Sequence, residues 1–181
     1  VDEADVVKTD GRRVFHLARN PSGGRMLRRL DVGTGGAEVT AALPLDWEAQ
    51  ELFLVGNRVV LLGNRYSEKS YAAVMWVLDA AGPELRVLWT QETEGWYRAA
   101  RLVGDEVRMV VISEETPEWV QPADGSPEAF AAAKAANRRL IQRSRLEDWV
   151  PRSRAVDYRG SHRGRPARSP SGVRRGRLHG L

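Results

Sequence analysis

The chain has 181 residues, 42% of them hydrophobic, enough for one medium domain with its own core, and it has no cysteine for disulfides or thiolate metal sites. No apolar run approaches the roughly 18 residues needed to cross lipid. The net charge of +4 hides two parts: residues 152–181 hold nine arginines against Asp157, about +8 (9 − 1), so the rest carries about −4 (4 − 8), and the basic balance does not make the main body a nucleic-acid binder.

The chain opens on Val1 without a basic-then-apolar leader, so its start is expected to lie upstream. Residues 6–18 then read VVKT-DG-RRVFHLA, two extended runs joined by Asp10-Gly11. The same form returns as ELFLV-GN-RVVLLG at 51–63 and AARLV-GD-EVRMVVI at 99–112. Each predicts a β-hairpin, because glycine accepts the positive φ of the tight turns whose twist matches the flanking strands. The first two hairpins are each followed by a run ending in Leu-Asp and a fourth run behind glycine, RMLRRLDVGTGGAEVTAAL at 25–43 and AAVMWVLDAAGPELRVLW at 72–89. Leu30-Asp31 and Leu78-Asp79 stand 48 apart, and Trp47 and Trp96 each precede the next hairpin.

A four-stranded antiparallel unit repeated every 40–50 residues is the pattern of a β-propeller blade, each sheet covering its neighbour. Val59 and Leu61, and Val74, Trp76 and Leu78, alternate as a period of two requires; the opposite face is also apolar in places, which predicts sheets covered on both sides. A β-sandwich with coincidental turns is the competing architecture. The fold class expected is therefore all-β: a partial propeller over residues 1–152, with about two four-stranded blades and the first hairpin of a third.

The third unit is interrupted. Ser126 is suited to cap a helix, Pro127 to its first position and Glu128 to its positive end, so a helix is predicted over 127–145. Phe130, Ala133, Ala136, Leu140, Ile141 and Ser144 form one stripe, with Lys134, Arg138, Gln142 and Arg145 away from it; the stripe is expected to pack on the propeller.

Two segments carry a family resemblance. VDEADVVKTDGRRVF at the start resembles the opening motif of a family of secreted bacterial and archaeal β-propeller domain proteins, and NRRLIQRSRLEDWVPR at 137–152 is similar to that family's Asp-Trp-Leu-Pro-Arg segment, with Val150 for leucine. The resemblance runs from residue 1 to about 152. It implies further blades and an extracytoplasmic, secreted or cell-surface location, and it implies no chemistry.

Residues 153–181 break that pattern. Two readings stand: a basic tail without fixed structure, or a shifted reading frame, since 25 arginines against three lysines point to GC-rich DNA whose out-of-frame codons give mainly Arg, Gly, Pro, Ser and Ala. A propeller piece with two open flanks is expected to associate with itself.

Candidate chemistry is sparse. Asp2, Glu3, Asp5 and Asp10 form an acidic cluster, but alternation places only Glu3 and Asp5 on one face, short of the six to eight oxygens calcium takes. His16 has no histidine near it, His162 and His179 lying in the tail, and the glycines at 22–24 and 33–36 lead into no helix that would cradle a phosphate. Trp47, Trp76, Trp89, Trp96, Trp119 and Trp149 are suited to stack on sugars or bases, but their repeated spacing points to packing for most of them. The preferred expectation is a non-catalytic envelope module binding a protein or cell-surface ligand, with no catalytic, cofactor or metal residues assigned. An enzyme whose site lies in other blades, and nucleic-acid binding by the arginine tail, are the alternatives.

Overall fold

The computed structural model describes residues 1–68, 70–113, 117–159 and 167–168. It forms two compact units, Val1–Ile112 together with the segment from Ser153, and Ser113–Arg152.

The first unit opens with β1 (Asp2–Glu3), β2 (Val7–Thr9), β3 (Arg13–Arg19), β4 (Arg25–Gly33) and β5 (Gly36–Leu45), of which β2 to β5 make a four-stranded antiparallel sheet in chain order. β6 (Glu48–Val55), β7 (Arg58–Tyr66), β8 (Tyr71–Asp79) and β9 (Arg86–Glu94) make a second, and β10 (Trp96–Val103) with β11 (Glu106–Ile112) begins a third. The three predicted hairpin turns are in place, with Gly11, Gly56 and Gly104 at φ +88, +55 and +62. That left-handed region strains any residue with a Cβ.

The repeat holds at the level of register. Asp31 ends the pairing of β4 opposite Arg13, and Asp79 ends that of β8 opposite Arg58. Arg58 closes an ion pair with Asp79 at 2.7 Å. Burial works against the Asp79 carboxylate, but the Ala81 backbone N–H, Arg58 and Arg86 outweigh it and hold its pKa below the usual value.

The second sheet is buried on both faces, and the alternation of β7 shows how. Val59 and Leu61 point into one core with Phe15, Leu17, Leu27 and Trp47, while Val60 and Leu62 point into another with Met75, Val77, Tyr97 and Ala100. Each such side chain removed from water contributes about 1.5–3 kcal/mol, so a sheet with two apolar faces is stable only between neighbours. Polar locks add to the first contact: Arg29 of β4, almost fully buried, donates to the carbonyls of Gly82 at 2.6 Å and Pro83 at 3.2 Å, and Arg13 donates to that of Ala80 at 3.0 Å. A β-sandwich would bury one face of each sheet; here one sheet serves two cores.

One feature adds to the sequence expectations and a second departs from them. First, residues 1–5 do not simply begin the first sheet: β1 pairs with β10 through Asp2↔Leu102 and Glu3↔Arg101, and Asp5 bridges Leu52 of β6. Residues 1–9 therefore hydrogen-bond in turn to all three sheets. Second, the tail expected to lack structure from residue 153 starts with a strand, β12 (Ser153–Asp157), antiparallel to β9 and followed there by a short pair with β13 (Ala167–Arg168). The free edge of β9 offers unpaired N–H and C=O groups, and Thr93 and Ser153 share a hydroxyl hydrogen bond of 2.8 Å across the pair. The rest of the tail, with both readings of it, lies outside the described residues.

The second unit contains α1 (Pro127–Arg143), which begins as predicted with Ser126 accepting from the Ala129 N–H at 3.1 Å. Its predicted stripe is only lightly covered: Ala133 is buried, while Phe130 and Ile141 are exposed. Asn137 uses both ends of its amide on Val120, accepting from its N–H at 2.9 Å and donating to its carbonyl at 3.0 Å, which fixes an extended segment along the helix.

Candidate functional site

The acidic residues singled out at the N-terminus are dispersed rather than gathered. Asp2 pairs with Lys8 at 2.9 Å, and Glu3 with Arg101 at 3.2 Å. Asp5 accepts from the Val6 N–H, and Asp10 lies in the first hairpin turn beside Arg13. The Arg13 backbone N–H first, then that of Arg12 and the Arg13 guanidinium, lower the Asp10 pKa to about 2 against the opposing effect of burial. Among the described residues no group of three or more His, Cys, Asp or Glu is placed to hold a metal ion. His16 stands opposite Arg28 and Val7 on the outward face of the first sheet; His162 and His179 lie outside the described residues.

The tryptophans divide. Trp47 and Trp76 meet at 5.4 Å in the first core and Trp89 packs on the second, as expected for packing residues. Trp119 and Trp149 meet at 5.8 Å within the second unit, where Trp149 Nε1 donates to Ser144. Trp96 differs. Its ring stacks on Tyr71 at 4.3 Å and meets the edge of Tyr66 at 5.5 Å, at the rim where the β7–β8 turn stands beside the start of β10. The two tyrosines are 51% and 48% exposed. Sequence reading missed them, although Tyr66 and Tyr71 flank a Ser-rich turn that has no aromatic counterpart in the first repeat.

Between the second and third sheets lies a buried polar junction. Asn64 accepts from the Tyr97 N–H at 2.8 Å, and the Tyr97 hydroxyl donates to Glu51 at 2.5 Å. Burial, then the hydrogen bond and charge of Glu51, push the Tyr97 pKa far above the usual phenol value of about 10. A raised acid pKa contributes stability that is complete below pH ~10 and is lost as pH climbs above it, because only the unfolded chain then ionises. Tyr97→Phe is expected to cost about 1–2 kcal/mol at pH 8, leaving Glu51 short of a donor, and to cost progressively less toward pH 11 in urea unfolding. A penalty that stays constant across that range would contradict the assignment.

The second unit carries a groove of about 720 Å³ between α1 and Val120–Pro122, lined on the helix by Phe130, Ala133, Lys134, Arg138 and Ile141. Among the described residues no helix is long and apolar enough to cross a membrane.

Two four-stranded antiparallel meanders and the start of a third, stacked face to face with the middle sheet buried on both sides, define a partial β-propeller. The family model described as a beta propeller domain matches residues 1–173, and the chain belongs to that family. The match extends past Arg152, where the resemblance was expected to stop, and takes in β12. No curated protein and no solved structure matches the chain.

Proposed function

We propose that the chain is a non-catalytic propeller module of the cell envelope, a scaffold that binds protein or cell-surface ligands. The observation that supports it most is the use made of the charged groups: Asp2, Glu3, Asp10, Asp79 and Glu51 are each engaged by a neighbour that fixes a strand, a turn or a sheet contact. Groups so occupied serve architecture, and exposed apolar and aromatic side chains such as Val110, Ile112, Tyr66 and Tyr71 are left for contact.

The outward face of the third sheet presents Val110 and Ile112, 55% and 50% exposed, at the positions through which the inner sheets pack on each other. The outward face of the first sheet presents Val7 and Val39, also exposed. Joining the two faces between copies makes a head-to-tail contact that repeats the internal one. Fractionation of the source cells is expected to place the protein in the envelope, and sedimentation velocity of the isolated chain to show association that grows with concentration. A purely cytosolic protein overturns the envelope reading; a monomer at about 100 µM, well above the affinity of a specific dimer, overturns the open-flank reading.

A further inference from the structure

The rim formed by Tyr66, Tyr71 and Trp96 is where the repeat is broken without an architectural need. Trp96 pairs with Ile112 where the second sheet has Glu48 opposite Asn64, so a half-buried glutamate that ion-pairs with Arg25 holds the equivalent position there, while Trp96 lies partly exposed under a tyrosine. The β7–β8 turn that supplies the tyrosines corresponds to the β3–β4 turn of the first sheet, Asn20-Pro21-Ser22-Gly23-Gly24, which has no aromatic residue. The sheet therefore folds with or without rings at this rim. Departures of this kind, where local rules alone would put polar residues, are where functional surfaces are found.

The rings are also held in place before any ligand arrives. Tyr66 and Tyr71 are opposite each other at the last pair of the β7–β8 ladder. The turn between them is tied by Ser67 and Ser70, with the Ser67 N–H on the Ser70 carbonyl at 3.0 Å, the Ser70 N–H on the Ser67 hydroxyl at 3.1 Å, and the two hydroxyls 2.8 Å apart. Gly95 brings Trp96 underneath: its N–H donates to the Tyr71 carbonyl at 3.2 Å, and a Cβ there would stand 2.5 Å from the Ile112 carbonyl oxygen. A rigid aromatic surface loses little conformational entropy on binding.

The geometry points to one ligand class. Tyr71 lies nearly flat on Trp96, 28° between planes, so Trp96 backs the Tyr71 ring and the outer face of Tyr71 is the platform. The rings do not diverge into the cage a quaternary ammonium needs, nor into the parallel slots that take a polyproline helix. Arg65, the cation preceding Tyr66, is already held by Asp46 at 3.1 Å and lies 3.4 Å from Glu92, an ion contact without hydrogen-bond alignment. It is therefore not free for a phosphate. The half-exposed Tyr71 ring, apolar on its face and carrying a phenol hydroxyl at its edge, suits a pyranose ring, whose C–H face is apolar and whose rim is hydroxyl. We infer that Tyr71 on Trp96, flanked by Tyr66, is a stacking platform for a sugar unit of a neutral oligosaccharide.

This inference rests on the reading of the chain as a binding module, and its failure leaves the fractionation result untouched. The test is calorimetric titration of the whole chain with cellohexaose, xylohexaose and chitohexaose. At least one is expected to bind, with affinity lowered about tenfold or more by Tyr71→Ala, the scale of losing one stacked ring, and retained by Tyr71→Phe. Thermal melting of both variants checks that the fold is kept, as expected for a side chain half exposed. Trp47→Phe, a change buried in the first core, is expected to leave binding unchanged. No binding of any hexaose at millimolar concentration, or binding that Tyr71→Ala leaves intact, overturns the proposal.

Discussion

Gly63→Ala is expected to destabilise the first unit by more than about 3 kcal/mol, the upper range of overpacking changes, or to prevent folding. Gly63 lies in β7 opposite Ala49, where β6 carries a bulge between Ala49 and Glu51. A Cβ at that position would stand 2.1 Å from the Glu48 carbonyl oxygen, 2.9 Å from the Gln50 nitrogen and 3.0 Å from the Ala49 Cα. All three are backbone atoms, so no side-chain rotation relieves the clash; β6 itself must move, and β6 lies in the sheet that serves both cores. Gly56→Ala provides the contrast. Its Cβ meets nothing within 4 Å and the penalty is the left-handed φ of +55 alone, about 1 kcal/mol. Urea unfolding of the two variants therefore gives a clear ordering, Gly63→Ala far below Gly56→Ala. Equal or inverted losses would mean that β6 and β7 are not in the register described.

The contrast also shows what the residues disclosed in advance. Gly56 is legible because a turn dipeptide between alternating runs leaves few backbone solutions, and Gly11, Gly56 and Gly104 all adopt the φ that reading demands. Gly63 is not legible. Its counterparts in the first and third hairpins are Ala18 and Val111, so the repeat gives no reason to expect a position where only glycine fits. The need arises from how closely the backbone of Glu48, Ala49 and Gln50 approaches Gly63, a tertiary fact. Likewise, the two-sided burial of the second sheet was written in the alternation of Val59 to Leu62, where both members of each pair are apolar. Strands that join a sheet by its edge are different. β12 is only five residues long with arginine and serine among them, and it is captured because β9 has an open edge, not because its own pattern requires a strand.

The candidate site follows the same division. The acidic cluster was legible as a set of residue types, and alternation correctly limited how many could share a face. The partners that disperse it were not: Arg101, which takes Glu3, is 98 residues away in sequence (101 − 3). The aromatic rim joins Tyr66 and Tyr71 to Trp96 across two turns, and no spacing rule links them. The signal that was available is comparative, the presence of tyrosines at one turn and of Pro21 and Gly23 at its repeat counterpart.

Removal of residues 1–6 is the second change expected to have a large effect, and it tests whether the N-terminal segment is a strap or a dispensable arm. Asp5 exchanges two backbone hydrogen bonds with Leu52, at 3.2 and 2.7 Å, and the Val6 carbonyl accepts from the Leu17 N–H at 2.9 Å. At about 1 kcal/mol net for each, these three give roughly 3 kcal/mol, before the β1–β10 pairing is added. The ion pair of Glu3 with Arg101 is solvent-exposed and that of Asp2 with Lys8 partly so, and each adds about 1 kcal/mol at most, so high salt should reproduce little of the loss. Because the removed segment supplies the edge partner of β10 and only a single bridge to β6, truncation is expected to act unevenly. Amide exchange should quicken most in β10 and β11, less in β6, and least in β7 and β8, which the two cores hold independently of the strap. Uniform acceleration across the three sheets would show that the truncation lowers global stability alone. Unchanged exchange and melting would show that the pairing of β1 with β10 and of Asp5 with Leu52 contributes nothing, and that the three sheets are held by their side chains.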